Sequence, residues 1–164
     1  MFCREAGISK RTFYESFKDK SDFFARMVFV ISERLISAWF AKLPTELDPR
    51  SKVESFLDLY FNELAKRSIF RVMAESIEAM AAFGSLGSEM SASPIVRAMY
   101  EIIDEGRKNG QFREMNTEIV VWMIFSLLDS MYLLVPELFK IPSAVPSEAL
   151  DREMKRFIVS ALER

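Results

Sequence analysis

Ala6-Gly7-Ile8-Ser9-Lys10-Arg11-Thr12-Phe13-Tyr14-Glu15-Ser16-Phe17-Lys18-Asp19-Lys20 is the stretch whose reading decides the fold. Residues 2–6 read as the end of one helix, and Gly7 suits a tight left-handed turn that other residues resist. Ser9 is a favourable N-cap, so the pattern predicts a second, short helix over 10–16. Ile8 stands just before the cap and Phe13 at the fourth helical position, the spacing of a hydrophobic staple. Phe13 and Phe17 share one face and should be buried, which leaves Lys10, Arg11, Tyr14 and Ser16 outward. Asp19 can cap the next helix, with Asp22 favouring its positive end.

Outward from this stretch the apolar spacing stays helical. A helix is predicted over 20–42, with Phe24, Met27, Val28, Ile31, Leu35 and Trp39 as its main stripe and Phe23, Phe29, Val30, Ile36 and Phe40 widening it. Pro44 and Pro49 punctuate the following link, Asp48 caps, and a helix runs over 49–66. Further helices are predicted over 69–83, from the Ser93-Pro94 pair to 108, over 117–135 behind Asn116, and over 147–163. The segment 84–92 is a loop by composition, and Asn109-Gly110 stops the helix before it. No period-two alternation flanked by hairpin turns occurs, so the fold class is all-α.

Composition narrows the function. The chain has 164 residues and is half apolar, with 15 Phe and 10 Met, so it has ample material for a core. Its net charge is −2, which argues against a uniformly basic nucleic-acid binder. A basic bias is confined to residues 1–20, where Arg4, Lys10, Arg11, Lys18 and Lys20 outnumber Glu5, Glu15 and Asp19. A single cysteine, Cys3, excludes an internal disulfide framework, and the absence of histidine removes the commonest general base and metal ligand. No catalytic constellation, metal site or cofactor is expected, and the chain is not read as an enzyme. No secretory signal is apparent, which points to the cytoplasm. The apolar span 119–139 is read as a buried protein helix, not a membrane segment, because Asp129 near its middle would cost roughly 2.5–3.5 kcal/mol in a bilayer.

Ala6-Gly7-Ile8-Ser9, Thr12-Phe13-Tyr14, Phe17 and Lys20 together resemble the helix-turn-helix signature of TetR-family transcriptional regulators. A weaker echo follows at Gly110-Gln-Phe-Arg113, similar to a corner found before a late helix in that family. The resemblance divides the chain into a partial helix-turn-helix head with its connecting helix, 1–42, and a helical effector-binding and dimerisation domain, 43–164. It implies DNA contact through Ser9, Lys10, Arg11, Thr12, Tyr14 and Lys20: basic side chains reach phosphate or guanine, and hydroxyls reach phosphate. Family members carry a first helix and most of a second before the position of Ala6. DNA binding is expected to need those residues, because the first helix covers Phe13 and Phe17. Glu15 and Ser16 depart from the family's pattern, which bears on the operator sequence and not on the fold.

The resemblance further implies a homodimer on palindromic operator DNA, acting as a probable repressor that a small hydrophobic effector releases. The last two helices would form the dimer seam, with Leu133, Met154, Phe157, Ile158 and Ala161 as candidates. The effector pocket would lie among Phe56, Tyr60, Met73, Ile77, Met80, Met99, Ile103, Trp122, Phe125 and Asp129, where Met and Phe adapt to irregular apolar ligands. Asp129, a lone acid on an apolar helix, fits either a cationic or hydroxylated ligand or a structural role at the seam. The alternative reading is a truncated helical dimer that binds a small hydrophobic ligand without DNA.

Overall fold

The computed structural model describes residue 7 and residues 9–64, 76–87, 93–131 and 148–163, and the regular structure among them is entirely helical. The elements are α1 (Lys10–Ser16), α2 (Lys20–Phe40), α3 (Pro49–Leu59), a π-helical turn (Tyr60–Leu64), α4 (Ile77–Gly84), α5 (Pro94–Lys108), α6 (Thr117–Asp129) and α7 (Glu148–Leu162). The all-α expectation therefore holds for the described residues.

Short polar side chains set the helix starts. Ser9, Asp19, Asp48, Ser93 and Asn116 each accept a backbone N–H of the first turn, with Pro49 and Pro94 at the first helical positions of α3 and α5. Ser76 does the same for α4: its backbone is extended and its hydroxyl accepts the Ala79 N–H at 3.1 Å. This corrects the continuous helix expected over 69–83, because a serine side chain can draw the backbone away from helical hydrogen bonding and start a new helix. Residues 69–75 lie outside the described residues. The expected α3 also changes pitch, passing from α to π geometry at Tyr60.

α3 is the centre of the body. It packs against α5 and α7, while α5 also meets α6 and α2, and α2 meets α4. Val53, Phe56, Leu57, Tyr60 and Phe61 are all buried, so this segment presents apolar surface over a wide arc. Met99, Ile102 and Ile103 of α5, Val121, Ile124 and Leu128 of α6, and Met154, Ile158 and Leu162 of α7 close round it in one core. Full burial of each large side chain contributes about 1.5–3 kcal/mol. Ion pairs Lys52–Glu105 at 3.0 Å and Lys155–Asp58 at 2.9 Å tie the rims of α3 to α5 and α7. Such partly exposed pairs fix register more than they stabilise.

The corner after α5 closes the body. Gly110 takes φ +79°, which ends the helix and turns the chain back. The Phe112 N–H then donates to the Gly106 carbonyl at 2.8 Å, and its ring is buried flat against Gly106. Arg113 next binds the end of α7: its backbone N–H donates to the Leu162 carbonyl at 2.9 Å and its Nε–H to the Ala161 carbonyl at 2.7 Å. Two of the carbonyls that a helix C-terminus leaves unpaired are thereby satisfied from another element. No helix among the described residues is long and apolar enough to cross a membrane.

Gly106 owes its identity to this corner, because a Cβ there would overlap the Phe112 ring. Gly106→Ala is expected to lower the free energy of unfolding by about 1–3 kcal/mol, although alanine is the better helix former. Urea denaturation followed by circular dichroism measures this; an unchanged or raised midpoint would show that the ring yields freely.

Candidate functional site

The first candidate surface is α1 and the turn on either side of it. Gly7 takes φ +67°, the left-handed turn that the sequence requires. The Ser9 hydroxyl accepts the Thr12 N–H at 3.0 Å and lies 2.9 Å from the Thr12 hydroxyl. Phe13 is the one buried residue of α1, at 4% exposure, and its ring meets those of Tyr14, Phe17 and Phe23. The burial expected of both Phe13 and Phe17 is thus met by Phe13, while Phe17 is half-buried. Ser9, Lys10, Arg11, Thr12, Tyr14 and Lys20 are all exposed, so the structure brings all six candidate DNA-contacting residues to the outside of one small unit. Arg11 is held along the helix by Glu15, with Nε 2.8 Å from the carboxylate.

Asp22 fixes the turn between α1 and α2. Its backbone N–H donates to the Asp19 carboxylate at 2.9 Å. Its own carboxylate accepts the Lys18 N–H and the Arg26 Nε–H, both at 3.0 Å, with only 6% of the residue exposed. The Lys18 backbone donor holds this carboxyl below the usual range against the opposing effect of burial, with Arg26 helping. Sequence reading placed Asp22 at the helix N-terminus but did not foresee that it is the buried anchor of the turn that presents Lys20.

The second site joins α3 to α6. The Tyr60 hydroxyl donates to Asp129 Oδ1 at 2.9 Å, across a sequence separation of 69 residues. One turn earlier on each helix, Phe56 and Phe125 meet edge-on, with ring centroids 5.8 Å apart and planes at 78°. The Trp39 ring of α2 also meets Phe56 edge-on, with centroids 5.9 Å apart. Both helices leave α geometry at the polar pair, α3 at Tyr60 and α6 at Ser130. π-type turns of this kind occur frequently at functional sites. Asp129 keeps some accessible surface, yet burial of its carboxyl pushes the pKa from 3.8 up to about 6, and the Tyr60 hydrogen bond only partly counters this.

The other pocket candidates divide. Met99 and Ile103 are fully buried in the core beneath this site, and Trp122 is half-buried on the flank of α6 that also carries Phe125 and Asp129. Met73 and Leu133, and the side chains of Ile77 and Met80, lie outside the described residues. Of the seam candidates, Met154 and Ile158 are buried within the chain, whereas Phe157 and Ala161 face outward. Sequence reading missed Ile119 and Met123, which are 57% and 63% exposed on α6 and one turn apart, comparable with Phe157 at 64%. On a helix so apolar throughout, only their position opposite Val121, Ile124 and Leu128 marks them. A further depression of about 510 Å³ lies on the outer face of α5, lined by Tyr100, Glu101, Asp104, Glu105, Lys108 and Asn109. Its acids are already engaged, by Arg97, by Arg107 and Lys108, and by Lys52.

No protein-family model, curated protein or solved structure matches the chain.

The raised Asp129 pKa carries a sign. The protonated carboxyl is the form the fold favours, so the stabilisation is present in full below pH 3.8 and is lost as pH rises through about 6. Asp129→Asn keeps an acceptor for Tyr60 and removes the charge. It is expected to add about 1–3 kcal/mol of stability above pH 7 and almost none at pH 4. Thermal denaturation of both proteins across this range measures the difference; equal stability at pH 8 would show that the carboxylate is well solvated.

Proposed function

We propose that the chain is the ligand-responsive body and helix-turn-helix region of a homodimeric transcriptional regulator of the TetR type, a repressor released from palindromic operator DNA by a small apolar effector. The observation that carries this reading is α1. It follows a left-handed glycine, is capped by Ser9, buries Phe13, and turns Lys10, Arg11, Thr12 and Tyr14 outward. A recognition helix needs this division between an anchored face and a polar face that enters the major groove. Lys10 and Arg11 in the first turn suit guanine or phosphate, the hydroxyls of Thr12 and Tyr14 suit phosphate oxygens, and Lys20 adds an ammonium to the positive end of α2.

The body supplies the other two parts of the proposal. Ile119, Met123 and Phe157 leave apolar surface exposed on the last two helices, and such surface favours a second copy. The Arg113 bonds to Ala161 and Leu162 set the α7 C-terminus only a few residues from the start of α6. The Tyr60–Asp129 site, with Phe56 and Phe125, is the effector site of this reading. α2 links them: Phe23 at its start meets Phe13 and Phe17, while Val28 and Ile36 enter the body's core. An effector that favours one packing of the body would shift the spacing of the two reading heads and lower DNA affinity by population shift. Regulation of transcription would place the protein in the cytoplasm.

Fluorescence anisotropy of a labelled duplex across a salt series tests this proposal. The full-length protein is expected to bind, and Lys10→Ala or Arg11→Ala should each reduce the slope of log affinity against log salt by about 1. Phe157→Glu should abolish cooperative binding by breaking the dimer. Unchanged slopes in both lysine and arginine variants would remove α1 as the DNA-facing element.

A further inference from the structure

We infer that the Tyr60–Asp129 site takes a cationic effector: an organic amine with a phenyl-sized apolar body, its ammonium on the Asp129 carboxylate and its body against Phe125 of α6. The inference rests on the effector reading above and names the chemical class of its ligand.

The hydrogen bonding of Asp129 is incomplete in one particular way. An ionised carboxylate has two oxygens and about four acceptor positions. Oδ1 takes the Tyr60 hydroxyl, a neutral donor, and no Lys or Arg among the described residues pairs with the carboxylate. The ion pairs of the described residues engage other acids, namely Glu15, Asp22, Glu54, Asp58, Glu101, Asp104, Glu105, Glu114, Glu148 and Glu163. A desolvated carboxylate without a counter-ion is strongly improved by one, because the attraction acts where water no longer screens it. Burial pushes the pKa of this carboxyl up to about 6, in keeping with the same deficit.

The surroundings select among cations. One turn before each polar residue stands an aromatic ring, Phe56 on α3 and Phe125 on α6, in mutual edge contact. Phe56 is enclosed, whereas Phe125 and Asp129 both keep accessible surface, so an apolar body can lie against the Phe125 ring while its ammonium reaches the acid; aromatic faces add to cation binding. A metal ion is a poor fit, since no group of three or more His, Cys, Asp or Glu able to hold one occurs among the described residues. A neutral hydroxyl or amide would add a second neutral donor where Tyr60 already supplies one and would leave the charge unmatched. Binding of an amine would hold Asp129 ionised, so a protonated Asp129 would release its proton to solvent on binding.

Isothermal titration calorimetry of the full chain with N,N-dimethylbenzylamine, charged throughout pH 5–7, and its uncharged carbon isostere isobutylbenzene tests this inference. At pH 7 the amine is expected to bind at least roughly tenfold more tightly, the effect of one charge-assisted hydrogen bond. Its affinity should fall roughly tenfold between pH 7 and pH 5 as Asp129 protonates. Asp129→Asn should erase both the preference and the pH dependence, while Tyr60→Phe, which removes the competing donor, should keep the preference. Circular dichroism confirms that both variants are folded. Equal binding of amine and hydrocarbon would overturn the amine class and leave an apolar effector site standing. A preference for the amine that survives Asp129→Asn would overturn the assignment to this carboxylate. Binding of neither probe would overturn this inference and the effector reading of the site together.

Discussion

The burial of α3 is the constraint on which the rest of the body depends. Val53, Phe56 and Leu57 are excluded from water, and Tyr60 and Phe61 continue the same buried face. This buried stripe of Val53, Phe56, Leu57, Tyr60 and Phe61 is covered by several partners at once, and α5, α6 and α7 contribute the residues that enclose it. Its buried end carries a hydroxyl, and a buried hydroxyl needs a partner. Asp129 of α6 is that partner. The core therefore closes on a carboxylate, in a position where burial disfavours its charge. An apolar residue at 129 would be simpler to bury, and a polar pair at the margin of the core is the kind of local conflict that marks a functional position.

The same logic links head and body. α2 is shared: its first turns hold Phe23 against Phe13 and Phe17, and its middle places Val28 and Ile36 in the core with α3. Asp22 ties the turn before it through Lys18, and Glu33 receives the hydroxyl of Ser93, the cap of α5. Side chains of α2 therefore touch the α1 unit at one end and the core of the body at the other.

Much of this was legible in the sequence, and for local reasons. Ser9, Asp19, Asp48, Ser93 and Asn116 cap helices because their short side chains reach their own first turn, and Gly7 and Gly110 mark left-handed turns. What was not legible is non-local or depends on direction. Ser76 was read as helix interior because the apolar spacing on either side of it is continuous, although its side chain starts a new helix. Tyr60 and Asp129 were separate candidates; their hydrogen bond spans 69 residues and leaves no local trace. Arg113 satisfies the α7 terminus through a contact that only the fold creates. Met154 and Ile158 were assigned to a subunit seam but face the chain's own core, whereas Ile119 and Met123 face outward from a helix too uniformly apolar to show which side is buried.

Selection of duplexes from a random-sequence pool by the full-length protein, with sequencing of the retained fraction, tests the central claim most directly. The account predicts enrichment of an inverted repeat whose half-sites lie about one helical turn, roughly 34–36 Å, apart, or a multiple of that distance. A retained pool indistinguishable from the input, or one enriched in a motif without two-fold symmetry, would contradict a homodimer that reads DNA through α1.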